Sequence, residues 1–445
     1  MVQTCVAVAA TAGAIGGLAS WAPWAMGLSV GLALGPLCLA ARSAVRPVWG
    51  AFVPAGLFLL YVILQLLNPS HVEVAGAGWL PRREWIPWLP TTMDRSRTLA
   101  AALPWLLALL QAGALGAVLR SRRAVRSLAL GLAGVVALLA FVGAVFWFSG
   151  AKLLLGVLAV PGGQFFSTFV YKNHWSAFAI LGALSAAGLG FSAWSRAADD
   201  RRERTVRLFA FCAVVMILLT PPLPVSRSGT VLAGLVALLV AVAALVRLVR
   251  GSAGGWRRAL WLGGLGLAVV ALILGRVLWL SQGSLATGWE RTVREWRRVE
   301  EKGEWNTRVY VAQDTWRMVQ DRPWFGWGAG GFEPVFPLYL GNYTRNRKGE
   351  QTATWDHAHC DWLEVTAEYG FVGLALLVGA ALAGVWRVLR AGSRWGRWTL
   401  LGLGLVAVYA VAEFPFHNPA VLLLWSVLLA AAGTGARAGR REERA

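Results

Sequence analysis

The chain has 445 residues, 57% of them hydrophobic and only 14% charged, whereas a soluble domain carries about a quarter charged residues. This excludes an ordinary soluble enzyme. Its continuous apolar runs, many near the ~20 residues that cross a bilayer, point to helices rather than a closed barrel. The net charge of +20 does not argue for nucleic acid, because most arginines sit in short clusters between apolar runs, as topology signals do.

The expected fold is an all-α polytopic membrane protein with about twelve spans. They lie roughly at 4–20, 23–41, 50–67, 98–119, 128–149, 174–194, 207–224, 229–249, 259–281, 367–389, 398–414 and 419–435. The first segment, MVQTCVAVAATAG, lacks the basic flank of a cleaved signal peptide and is expected to stay as a membrane helix. One set of alternate loops holds Arg42 and Arg46, Arg120 to Arg126, Arg196 to Arg207, Arg250 to Arg258, Arg390 to Arg397 and the tail RAGRREERA. The positive-inside rule puts these in the cytoplasm, with both termini. The other set, 68–97, 150–173, 220–228, 282–366 and 414–419, faces outward and holds or borders all five histidines. The chain thus divides into N-terminal membrane helices (1–281), a large outer loop (282–366) and C-terminal membrane helices with a tail (367–445). The four cysteines, at positions 5, 38, 212 and 360, imply no disulfide framework.

Within the long loop, Trp289, Val293 and Trp296, then Val309, Ala312 and Trp316, recur at helical spacing. They predict a pair of amphipathic helices with tryptophans at the headgroup level. The Pro- and Gly-rich stretch DRPWFGWGAGGFEPVFPLY that follows breaks helix.

Five stretches carry chemistry. In PVSRSGTVLAGL, Arg227 stands at the outer mouth of a span. A guanidinium beside a helix N-terminus makes a phosphate clamp; an arginine snorkelling to headgroups is the plainer alternative. Arg308, in GEWNTRVYVAQDTW, reads most simply as a solvated base paired with Glu304 one turn back. The segment TWDHAHCDWLEVTAEYGFVG holds His357, His359, Cys360, Asp356, Asp361, Glu364 and Glu368. His-x-His with Cys360 suggests zinc, but adjacent ligands cannot converge from one helix, so no metal is expected. Imidazoles beside carboxylates also suit proton transfer. Asp361, Glu364 and Glu368 share a helix face and suit the start of the next span. Lys172, Asn173 and His174 open span six, where Asn173 can serve as a plain cap. In EFPFHNPAV, Glu413 is a functional candidate by its position at the end of an apolar run, and His417 with Asn418 reads as a turn.

In this order, SRSG, then NTRVYVAQDTWRMVQDRPWFGWGAGGF, then HAHCDWLEVTAEYGFVG, with YKNHWSAF, EFPFHNPA and the LLNPS…LPTTMDRSRT loop, the chain resembles the O-antigen ligase/polymerase superfamily of bacterial envelope glycan enzymes. The resemblance runs from about residue 60 onward. It implies a helical bundle with a large periplasmic loop, similar to GT-C glycosyltransferases, in the bacterial inner membrane. It implies transfer of a glycan from undecaprenyl diphosphate to an acceptor hydroxyl on a glycolipid, another glycan or a protein. No cofactor or metal is implied. His359, followed by Cys360, nine residues, Gly370 and Gly373, fits the family's histidine motif, and Arg227 and Arg308 match its two outward arginines thought to hold the diphosphate. Cys360 departs from the amide or hydroxyl usual there, and Leu374 from the threonine. His357, or an acid at 361 or 364, is expected to orient the His359 imidazole. Ligase, polymerase and protein O-oligosaccharyltransferase share these motifs. A transporter or flippase is the rival from another class, disfavoured because the polar groups cluster at one outer face rather than at mid-membrane.

Overall fold

A computed structural model describes residues 2–13, several positions between 23 and 31, residue 50, and 52–74, 78–119, 121–151, 153–154, 158–159, 165–195, 200–224, 226–251, 307–341 and 355–442. Most of the expected span 23–41, all of 259–281 and the expected Trp289–Trp296 helix lie outside these residues. In chain order the elements begin with α1 (Val2–Gly13), α2 (Val53–Leu67), the hairpin β1 (His71–Val74) and β2 (Gly78–Pro81), α3 (Arg95–Val118) and α4 (Arg122–Phe148). A second small hairpin, β3 (Leu153–Leu154) and β4 (Leu158–Ala159), leads to α5 (Lys172–Trp194), α6 (Arg201–Leu218) and α7 (Arg227–Gly251). Then come α8 (Thr307–Asp321), the single turn α9 (Phe332–Val335), α10 (Asp361–Ala391), α11 (Arg394–Tyr409) and α12 (Pro419–Glu442).

The protein is mostly helical. Among the described residues, five helices are long and apolar enough to cross a membrane: Arg95–Val118, Arg122–Phe148, Lys172–Trp194, Ser228–Arg250 and Asp361–Ala391. Shorter apolar helices run over Val2–Gly13, Val53–Leu67 and Pro419–Thr434. This is the build of a multi-pass helical membrane protein.

α5 is the axis. Nearly every residue from Asn173 to Phe191 is buried, as befits a helix apolar all round. Its small residues let neighbours approach closely. A Cβ on Gly182 would stand 2.6 Å from a Val136 methyl, and one on Gly188 would stand 2.8 Å from the Trp398 Cβ. α6, α11, α4 and α7 surround it, so whatever α5 presents at its first turn is held rigidly at one end of the bundle.

α10 corrects the expected span boundary. The helix starts at Asp361 rather than near 367, and it is broken at Gly370, whose φ of 64° and ψ of −178° are not helical. The break frees backbone groups that the Pro/Gly stretch takes up. Phe371 N donates to Pro323 O at 2.8 Å, Trp327 N to Ala367 O at 2.9 Å and Gly328 N to Glu368 O at 2.9 Å. Tyr61 donates its hydroxyl to Tyr369 O at 2.5 Å. A Cβ at Gly370 would meet Trp324 O at 2.2 Å, on top of about 1–3 kcal/mol for any other residue held in this glycine-only backbone region. Gly370→Ala is therefore expected to lower membrane yield and the thermal midpoint of the purified protein. Gly379→Ala, where an added Cβ meets nothing within 4 Å, serves as the silent control.

The spacing read along α8 lies on its outer face, and a second face packs inward. Val309 and Trp316 are exposed, whereas Val311, Met318 and Val319 are buried against Phe332, Val335 and Phe336. Asp314 and Thr315 share the inward face. They are satisfied there, Asp314 by Gly341 N at 2.9 Å and Arg317 at 2.9 Å, Thr315 by Val311 O at 2.7 Å. The LLNPS…LPTTMDRSRT loop packs on the same layer. Asn68 bonds both ways with Ile86, at 2.8 Å each, and Met93 N reaches Trp327 O at 3.0 Å.

Candidate active site

The first turns of α5, α7 and α10, the end of α11 and the start of α8 meet at one end of the bundle. Their common point is the turn after α11. Glu413 is buried there, and its donors come from two distant segments, the start of α5 and α8. Asn173 Nδ2 donates to its Oε1 at 2.7 Å and the Tyr171 hydroxyl to its Oε2 at 3.1 Å. Arg308 Nη1 lies 3.0 Å from Oε1 and also donates to Ala412 O at 3.1 Å. Burial pushes the Glu413 carboxyl up, but His359, Arg308 and Asn173 outweigh it and hold the group below its ordinary value. It is a carboxylate at neutral pH.

Asn173 couples Glu413 to α7. Ser226 Oγ donates to Asn173 Oδ1 at 2.6 Å and accepts from Gly229 N at 3.1 Å. Ser226 thus caps α7, whereas Asn173 is not the expected cap: Tyr171 precedes α5 without a side-chain cap bond, and the Asn173 amide is spent on Glu413, Tyr171 and Ser226. An added Cβ on Gly229 would lie 2.1 Å from Ser176 Oγ, so the glycine in SRSG lets α7 close on α5. Arg227 is the first residue of α7, one position beyond this cap.

His359 adopts φ 54°, in the left-handed region. Its Nδ1 lies 3.9 Å from Glu413 Oε2 and has no hydrogen-bond partner. That separation is beyond hydrogen-bond range, although catalytic hydrogen bonds are commonly long before substrate binds. Phe414 organises the rings around it. The Tyr171 ring stacks on Phe414 at 5.0 Å and His357 at 4.5 Å, while His174 and His359 meet it edge-on at 4.9 and 5.1 Å. His174 is buried, with Nδ1 3.4 Å from Asn418 Nδ2 and no partner at Nε2. Lys172 opens α5 beside them.

The acids expected to orient His359 do something else. Asp361 Oδ2 accepts from Phe416 N at 2.7 Å, and its Oδ1 lies 2.5 Å from His417 Nδ1. Glu364 Oε2 accepts from Ala358 N at 2.7 Å, while Oε1 lies 2.8 Å from His357 Nδ1 and 3.2 Å from His417 Nε2. His357 therefore pairs with Glu364, not with His359, and the carboxylate nearest His359 is Glu413. The reason is the extended backbone at Cys360, which separates the 357–359 loop from the helix and lets α10's first turn face the 413–417 turn. Asp361 N donates to Ala410 O at 2.9 Å and to Glu413 O at 3.2 Å, so that turn caps α10 where the Cys360 side chain does not. Burial raises the Cys360 thiol and keeps it protonated.

His357, Glu364 and His417 place donor atoms within 4.8 Å of one another, a set that zinc accepts in principle. The donor chemistry fits poorly. Both His417 nitrogens face carboxylates, so both carry protons. Burial depresses the His417 imidazole, but Glu364 and Asp361 outweigh it and hold it at about 10. A metal has to displace that proton and open direct 2.8–3.2 Å contacts to reach bond lengths of about 2 Å.

Sequence reasoning assigned His417 to a turn and left Glu413 without partners. The signal for both was faint: charged groups at the end of an apolar run and a histidine four residues on.

Residues 208–378 match the family model described as O-antigen ligase. The matched segment contains Arg227, Arg308 and His359 and ends before Glu413 and His417. The match supports the superfamily resemblance drawn from the motifs. No curated protein matches the chain.

Proposed function

We propose that this member of the O-antigen ligase/polymerase superfamily is an inner-membrane glycosyltransferase of GT-C-like build with about twelve spans. It moves a glycan from undecaprenyl diphosphate to an acceptor hydroxyl on the periplasmic side. The observation that carries the reading is the meeting of His359, Arg308 and the N-terminus of α7 around the buried Glu413 carboxylate, at one end of a bundle built to span a membrane.

The chemistry follows from the groups. The bond between the sugar's anomeric carbon and the diphosphate oxygen breaks, and the acceptor oxygen forms the new glycosidic bond. The leaving diphosphate carries about two to three charges, which Arg308, Arg227 and the free N–H groups opening α7 neutralise. The acceptor hydroxyl gives its proton to His359. Glu413 faces that imidazole and stabilises the cation formed there, as a carboxylate behind a general base does. Lys172, Asn173, His174, His357, Asp361 and Glu364 hold the frame. A glycolipid, a second lipid-linked glycan or a protein hydroxyl all serve this reaction as acceptor.

The test is Arg308→Ala in cells lacking the native gene. Surface glycan is expected to be lost and the carrier-linked precursor to accumulate. Normal glycan in a variant present at wild-type level overturns the assignment. Chelation gives a separate check: transfer by the purified enzyme is expected to persist in strong chelator, and loss restored by added zinc would return the His357–Glu364–His417 cluster to metal.

A further inference from the structure

The end of the bundle opposite this site carries a cavity of about 620 Å³ between α5, α7 and α11. Four arginines line it, Arg247 and Arg250 at the end of α7 and Arg394 and Arg397 at the start of α11. Its aromatic wall is Phe191, stacked on Trp398 at 4.8 Å and parallel to Trp194 at 6.3 Å. The Arg247 guanidinium donates to Ser195 Oγ and lies 5.9 Å from the centre of the Trp194 ring. No Asp or Glu is among the described lining residues. Nearby, Arg126 is matched by Glu203 across α4 and α6, so this end of the protein does neutralise an arginine where it needs only structure.

Four guanidiniums around one cleft repel each other unless an anion joins them. The positive-inside rule explains arginines at this end, but not their convergence on a cavity with a tryptophan wall. Tryptophan marks headgroup depth in a bilayer. Guanidinium pairs grip phosphate oxygens bidentately, and basic pockets between membrane helices suit anionic headgroups. Ala243 and Val246 continue the lining with apolar surface.

We infer that this cavity binds the phosphate headgroup of an anionic glycerophospholipid, with acyl chain lying along Ala243 and Val246. The inference needs only that the bundle spans a bilayer, and it is independent of the chemistry assigned to the other end.

The test uses the full-length protein purified in neutral detergent, with native mass spectrometry to count bound lipid. Phosphatidylglycerol is expected to stay bound and phosphatidylcholine not. The Arg394→Gln/Arg397→Gln double variant is expected to bind phosphatidylglycerol about 30-fold more weakly, the factor two surface guanidiniums supply. The exposed pair Arg122→Gln/Arg123→Gln, at the same end of α4, is the control and keeps wild-type binding. Equal loss in both variants overturns the site in favour of diffuse charge. Displacement of the lipid by an equal concentration of glycerol phosphate overturns the lipid assignment in favour of a soluble anion. The melting temperature in phosphatidylcholine, unchanged between variants, shows that each is folded.

Discussion

Replacing His359 is expected to abolish glycan transfer while the protein still reaches the membrane. A positioned general base contributes about 10²–10⁴-fold, and His359 Nδ1 stands 3.9 Å from the Glu413 carboxylate. Alanine alone is an ambiguous choice, because residue 359 is left-handed. Asparagine tolerates that conformation better than most residues and has no basic nitrogen, so His359→Asn separates chemistry from backbone strain. Both variants are expected to accumulate carrier-linked precursor, with His359→Asn melting close to wild type. Glu413→Gln on its own is expected to slow transfer, because the imidazolium loses its facing charge. Added to His359→Asn it is expected to cost little more, since residues acting as one unit are not additive. Normal surface glycan in His359→Asn removes His359 from the chemistry.

Much of the scaffold was readable because membrane helices must satisfy their own backbone. Apolar runs alone therefore placed α2, α3, α5 and α7 within three residues of the expected spans, whereas α4 starts six residues before its expected span. Local signals failed where the partner is far away in sequence. Asp361 and Glu364 looked like ordinary acids at a helix start. The partners of Asp361, Phe416 N and His417, lie some 55 residues on, and His417 faces Glu364 as well; no spacing rule reaches that far. Glu413 was singled out by position, but its donors come from α5 and α8. The inward face of α8 was not announced by spacing because Asp314 and Thr315 interrupt its apolar residues Val311, Met318 and Val319. The β1–β2 hairpin, with four residues per strand, is too short for alternation to announce itself. The histidine motif fared differently. The spacing from His359 to Gly370 has a physical counterpart in the break at Gly370, where the Pro/Gly stretch docks on α10.

The same frame predicts that His417→Gln is among the most destabilising single changes in the protein. His417 is the cation between two buried carboxylates, Asp361 and Glu364, with His357 on the far side of Glu364. Removing one partner of a buried ion pair leaves uncompensated charge and costs about 3–5 kcal/mol. The pH dependence carries the sign. The folded value is raised from 6.5 to about 10, so the imidazolium's contribution is complete below the unfolded value. It declines as pH rises between the two and is gone above the folded one. Thermal midpoints of wild type are therefore expected to fall more steeply between pH 7 and 10 than those of His417→Gln, because other groups titrating in that window are common to both. Asp361→Asn in the His417→Gln background removes one of the two stranded carboxylates and is expected to recover part of the loss, a non-additivity that marks direct contact. Identical pH slopes for wild type and His417→Gln would mean that residue 417 is neutral in the fold. The 413–417 turn would then be held by the Asp361 bonds to the backbone, and Glu413 would reach His359 without help from this ion pair.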